Sequence, residues 1–159
     1  MSSKQDNTRN GLASEIGKRT SFNCPRQEAY LNLMRTHALL STQVSRLLKE
    51  HGLTDPQYNA LRILRGEGKP MQTYQIAERM ISLQTDISRL VERMVTAGLV
   101  DRNRSEDDRR VVWVSLTEKG QSTLQELDAP INQLHDSQFQ DLTEKELNSL
   151  SELLFRARK

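Results

Sequence analysis

One feature limits this chain more than any other: an unbroken apolar stripe in "CPRQEAYLNLMRTHALLSTQVSRLLKEHG", from Cys24 to Gly52. Tyr30, Leu33, Met34, His37, Leu40, Val44, Leu47 and Leu48 recur at spacings of three and four, which is the period of one helix face. Pro25 suits the first helical position and Gly52 the residue just past the end, so the segment predicts a single long amphipathic helix. The stripe needs a surface to cover it. At 159 residues the chain has room for one domain with a core, or a small domain plus an appendage. Hydrophobic residues make up 35% and charged residues 28%, which is lean for a monomer and points to stripes completed by a second subunit.

The remaining segments read in turn. Residues 1–22 are polar and read as a tail, in which "ASEIGKR" allows one or two helical turns. "LTDPQYNALRILRGEG" predicts a helix opened by a Thr54/Gln57 capping box and stopped by Gly66. "TYQIAERM" predicts a short helix capped by Thr73, and "LQTDISRLVERMVTAG" a second one ended by Gly98. "LVDRNR" and "RVVWVSL", joined by Ser-Glu-Asp-Asp, predict a hairpin of two strands. Thr117 then caps a long helix towards Phe139, bent at Pro130, and Thr143 with Glu146 forms the capping box of a last helix.

Several function classes fall away. No run of about 18 apolar residues exists to span a bilayer, and the N-terminus lacks the apolar core of a signal peptide, so a cytoplasmic protein without a membrane partner is expected. A single cysteine allows no internal disulfide, and His37, His51 and His135 show no ligand spacing, so neither metal nor cofactor is expected. There is no nucleophile elbow, and the seven glycines form no phosphate-cradling loop, which argues against an enzyme. The net charge of +2 means that any attraction for nucleic acid has to be local.

Two short helices joined by a tight turn, the second with small polar side chains near its start, form a helix-turn-helix pattern, and the following hairpin makes it winged. On the second helix Ile87, Leu90, Val91 and Met94 form the buried stripe. Gln84, Thr85, Ser88 and Arg89 face away from it, as side chains suited to base edges and phosphates. Taken alone, that helix is equally compatible with an ordinary solvated face.

The hairpin decides between these readings. "GLVDRNRSEDDRRVVWVSLTEKG", with Asp108, Arg109, Arg110, Leu116, Thr117 and Gly120, resembles the wing and following helix start of the MarR family of bacterial transcription regulators. The resemblance extends upstream to "LTDPQYNALRIL" and "IAERM". It implies a mainly α fold with a small β-hairpin wing, a winged helix-turn-helix protein that is dimeric through its N- and C-terminal helices. It also implies that Arg110 reaches into a narrowed minor groove. Asp108 is then placed to orient that guanidinium, with Arg104 and Arg109 as further wing contacts. Glu106 and Asp107 offset the local positive charge. Residues 70–115 hold seven arginines and seven acids, so affinity has to come from placement and from two copies acting together. Asp86 suits a helix cap, or an acceptor for the amino group of cytosine.

The expected organisation is a tail at 1–22, a first dimerisation helix at 23–53, a winged helix-turn-helix lobe at 54–116 and C-terminal dimerisation helices at 117–159. The expected function is sequence-specific binding of double-stranded DNA at a near-palindromic operator by a homodimer that represses transcription. The resemblance adds a cleft for a small aromatic or anionic effector, with Tyr30, Arg35, His37, Tyr58 and Trp113 as candidate contacts. Each of these also has a plain role in a helix face or over the sheet. Two alternatives stay open, an effector-independent architectural DNA binder and a thiol-based sensor through Cys24, which stands at a helix start.

Overall fold

The computed structural model describes residues 11–82, 86–104 and 111–159. Seven helices and three strands are described: α1 Leu12–Glu15, α2 Pro25–Glu50, α3 Asp55–Glu67, β1 Met71–Gln72, α4 Thr73–Arg79, α5 Ile87–Thr96, β2 Val100–Arg104, β3 Val112–Leu116, α6 Glu118–Gln138 and α7 Glu144–Arg156. The chain divides into two compact units, one ending at Gln43 and the other running Val44–Lys159, so the boundary falls inside α2. None of the helices among the described residues is long and apolar enough to cross a membrane.

Local chemistry accounts for most element ends. Thr54 opens α3 by donating its backbone N–H to Gln57 Oε1 at 2.9 Å, which satisfies one of the donors a helix start leaves free. The predicted stop at Gly66 is corrected: α3 runs through Gly66 to Glu67 and closes at Gly68, where φ is 70°. Position 68 requires the left-handed backbone that glycine adopts without penalty, and position 66 does not. The cap of α4 is corrected in the same way. Gln72 takes the capping position that was expected of Thr73, and its backbone N–H donates to Gln75 Oε1 at 2.9 Å. Pro130 sits inside α6, which continues from Glu118 to Gln138.

The second compact unit contains a winged helix-turn-helix lobe. Its sheet is antiparallel with strand order β1-β3-β2, and so it has one strand more than the expected hairpin. β1 contributes two residues, paired as Met71 with Val114 and Gln72 with Trp113. A two-residue strand carries no alternation to read. Its value lies in packing, since Met71 and Val114 are both essentially inaccessible. One apolar cluster gathers Leu48, Leu61, Ile76, Leu90, Met94, Val114, Leu124 and Leu127, drawing on α2, α3, α4, α5, β3 and α6.

The start of α6 is seated against the turn that follows α5. Thr117 donates its hydroxyl to Gly98 O at 2.7 Å and accepts from the N–H of Gly120 at 3.0 Å. Lys119 Nζ donates to Ala97 O at 2.7 Å. A Cβ built on Gly120 would overlap the carbonyl oxygen of Leu99, so only glycine lets the two backbones come this close. The Leu-Thr-x-x-Gly sequence is therefore a joint between α5, the sheet and α6.

Candidate nucleic-acid interface

α5 has two sharply different faces. Leu90, Val91 and Met94 are buried in the lobe, while Ser88, Arg89, Glu92, Arg93 and Thr96 are exposed. The helix begins at Ile87 behind Asp86, whose Oδ1 accepts from the backbone N–H of Arg89 at 3.2 Å. Asp86 is thus the cap. Its second oxygen lies 3.4 Å from Arg89 Nε, so one carboxylate serves both the backbone and the side chain of the same residue. A groove of about 520 Å3 runs along this face, lined by Asp86, Arg89, Glu92, Arg93 and Thr96.

The sheet adds cations beside the helix. Arg102 and Arg104 of β2 are exposed, and Arg102 Nη1 lies 3.8 Å from Glu92 Oε1, tying the strand to the outer face of α5. A second groove of about 340 Å3 lies between the start of α4, Ser88 and the sheet, with Tyr74 and Arg102 on its walls. Tyr74 is 56% exposed, which is unusual for a large aromatic in so short a helix.

Of the DNA-facing residues expected from the sequence, Ser88, Arg89 and Arg104 are exposed on this lobe. Gln84, Thr85, Asp108, Arg109 and Arg110 lie outside the described residues. Arg93, Thr96, Tyr74 and Arg102, which line the two grooves, were not among the residues expected from the sequence. The signal for Arg93 was present, because it stands four residues after Arg89 and so on the same helix face. Tyr74 and Arg102 reach the site only through the tertiary fold.

The effector candidates fall in two compact units. In the first, Tyr30 and His37 are exposed on α2, and Arg35 pairs with Glu15 of α1 at 3.4 Å. The sequence placed Tyr30 on a core face, yet within this single chain it is 61% exposed. In the second, Tyr58 packs against the apolar cluster, where burial pushes its phenol up and the nearby Arg62 guanidinium, 5.7 Å from the ring, opposes that shift. Trp113 is half-buried on β3 opposite Asn103 and Gln72. Cys24 is exposed just before α2, and its carbonyl accepts from the N–H of Glu28 at 3.1 Å.

Comparison with known proteins agrees with this architecture. Residues 42–127 match the family model described as transcriptional regulator SarA/Rot. The HTH-type transcriptional repressor IacR of Pseudomonas putida is 31% identical over 122 residues, covering 77% of this chain and 72% of that one. The uncharacterized HTH-type transcriptional regulator YkoM of Bacillus subtilis is 30% identical over 144 residues, covering 87% and 92%. Among solved structures, a MarR transcription factor from Planctomyces limnophilus superimposes with a TM-score of 0.67 at 39% identity, covering 84% of this chain and 98% of that one. With its exposed α5 face, its three-stranded wing sheet and its glycine-tight joint to α6, the chain belongs to the MarR/SarA family of winged helix-turn-helix transcription regulators.

Proposed function

We propose that the protein binds a near-palindromic operator as a homodimer and represses transcription. The observation that carries this reading is the outer face of α5, where Ser88, Arg89, Arg93 and Thr96 stand exposed opposite a fully buried stripe. A helix of this width fits the major groove, where serine and arginine reach bases and phosphates. Repression is supported by the relative in Pseudomonas putida, which is a transcriptional repressor. Dimerisation is supported by the exposed apolar residues of α2 and α7, among them Leu33, Met34, Leu153 and Phe155.

In this reading the segment between β2 and β3 enters the minor groove, with Arg110 as the inserted cation and Asp108 as its orienting carboxylate. Modulation by a small aromatic or anionic effector rests on the family resemblance rather than on a cavity. The test is selection from random genomic fragments with purified protein at about 150 mM salt, where phosphate-only binding is already weak. Recovery of a near-palindrome with half-sites about one helical turn apart is expected. Recovery of fragments with no common sequence would favour an architectural DNA binder. With the operator in hand, Arg110→Ala should flatten the salt dependence of binding by about one unit. An unchanged slope and affinity would remove Arg110 from the interface.

A further inference from the structure

On the reading that α5 enters the major groove, we infer that Asp86 is a positioning residue that presents Arg89 to a guanine base. Asp86 holds Arg89 twice, through the backbone N–H at 3.2 Å and through Nε at 3.4 Å. A guanidinium carries five N–H donors in a planar fork. Pairing at Nε leaves both terminal amines without a partner among the described residues, and these are the two parallel donors that bidentate contact with guanine O6 and N7 requires.

The side chains of Arg89 and Asp86 are 82% and 58% exposed, and an ion pair so open to water adds little to folding. Its consequence is conformational. An untethered arginine loses rotamer freedom when it docks, whereas one already braced by a carboxylate has lost part of it beforehand. Arg93, one turn further along the same face, has no acidic partner among the described residues, and the neighbouring Glu92 pairs with Arg102. The two arginines thus divide the work, with Arg93 free to follow phosphates and Arg89 held for a base. The Asp86 charge also repels the backbone of any DNA, so it lowers indiscriminate binding while favouring the matched site.

The experiment measures binding of wild type, Asp86→Asn, Arg89→Ala and the double variant at one salt concentration. The probes are a random duplex and a set of operators with each base pair replaced in turn. Asparagine caps a helix about as well as aspartate, so Asp86→Asn keeps the fold, and an unchanged melting temperature checks this. Wild type should prefer guanine at one position per half-site by about 5- to 150-fold. Arg89→Ala should abolish that preference. Asp86→Asn should remove most of it at the same position while tightening binding to the random duplex, and the double variant should match Arg89→Ala alone in its lack of base preference.

A guanine preference that survives Asp86→Asn would reduce Asp86 to a cap and overturn the inference while leaving the operator reading intact. An Arg89-dependent position that prefers another base would overturn it equally. A wild-type protein with no preference at any position would fail the operator reading, and the inference would fall with it.

Discussion

The winged lobe and the last helix treat their apolar residues in opposite ways. In the lobe Leu61, Ile76, Leu90, Met94, Val114, Leu124 and Leu127 are wholly buried within one chain. In α7 no residue is buried, and Leu153 and Phe155 are 58% and 53% exposed. α7 is nonetheless well begun, since Thr143 donates its backbone N–H to Glu146 Oε2 at 2.8 Å. Thirteen residues form a marginal helix in water even with a good cap, so α7 draws its stability from packing. The difference teaches that a strong amphipathic pattern guarantees a covered face without naming the cover. For the lobe the cover is the same chain, and for α7 the proposed cover is a second copy.

The largest effect should come from breaking that proposed cover. Leu153→Glu combined with Phe155→Glu should give monomers by light scattering and weaken operator binding by about 10²–10⁴-fold, because two linked half-sites become two separate ones. The lobe should keep its melting transition. A variant that remains dimeric would place the contact between copies elsewhere.

The converse test breaks the lobe and leaves the exposed faces alone. Leu61→Ala removes a wholly buried side chain of α3 and should cost about 2–5 kcal/mol in urea unfolding. Measured in the monomeric background, the loss should not depend on protein concentration. Concentration dependence would mean that the lobe, too, is completed by a partner. Gly120→Ala should cost less, about 1–3 kcal/mol, because a methyl group there meets the backbone of Leu99 and no side-chain rotation relieves it. A loss near zero would show that residues 97–99 yield freely and that the joint is loose.

The same division explains what was legible in the sequence. Helix existence and order were readable because each apolar stripe repeats many times, and Gly52 and Gly98 mark their ends with φ near 71°. β1 was not, because two residues have no period and Met71 becomes a strand residue only when Val114 arrives beside it. The joint at Gly120 was visible as a motif, but its reason, a carbonyl lying where a Cβ would sit, exists only in three dimensions. On the candidate interface, the exposure of Ser88 and Arg89 was readable from helical period, and that of Arg93 was readable by the same rule. Tyr74 and Arg102 come from other elements, and no local pattern brings them to α5. The pairing of Asp86 with Arg89 falls between these cases, since the spacing of three was readable while the use of Nε was not.

The smallest effect asks how much of the lobe's closure is polar. Arg65 of α3 donates to both oxygens of Asp128 on α6, at 2.9 and 2.8 Å, in the paired geometry that suits a guanidinium and a carboxylate. Hydrogen bonding from Arg65 holds the Asp128 carboxyl below its ordinary range, against the opposing pull of partial burial, and the same bonds raise Arg65. A carboxyl whose pKa is depressed by folding stabilises the native state above its unfolded value of about 3.9, and that contribution is lost as pH falls through the lower folded value. The side chains remain 29% and 48% exposed, so water and salt screen the pair. Asp128→Asn should therefore cost no more than about 1 kcal/mol at pH 7. The gap between variant and wild type should close as the pH drops below the carboxylate range, and shrink in high salt. A loss that persists unchanged in acid would mean that Asp128 acts through its shape and hydrogen bonds rather than its charge.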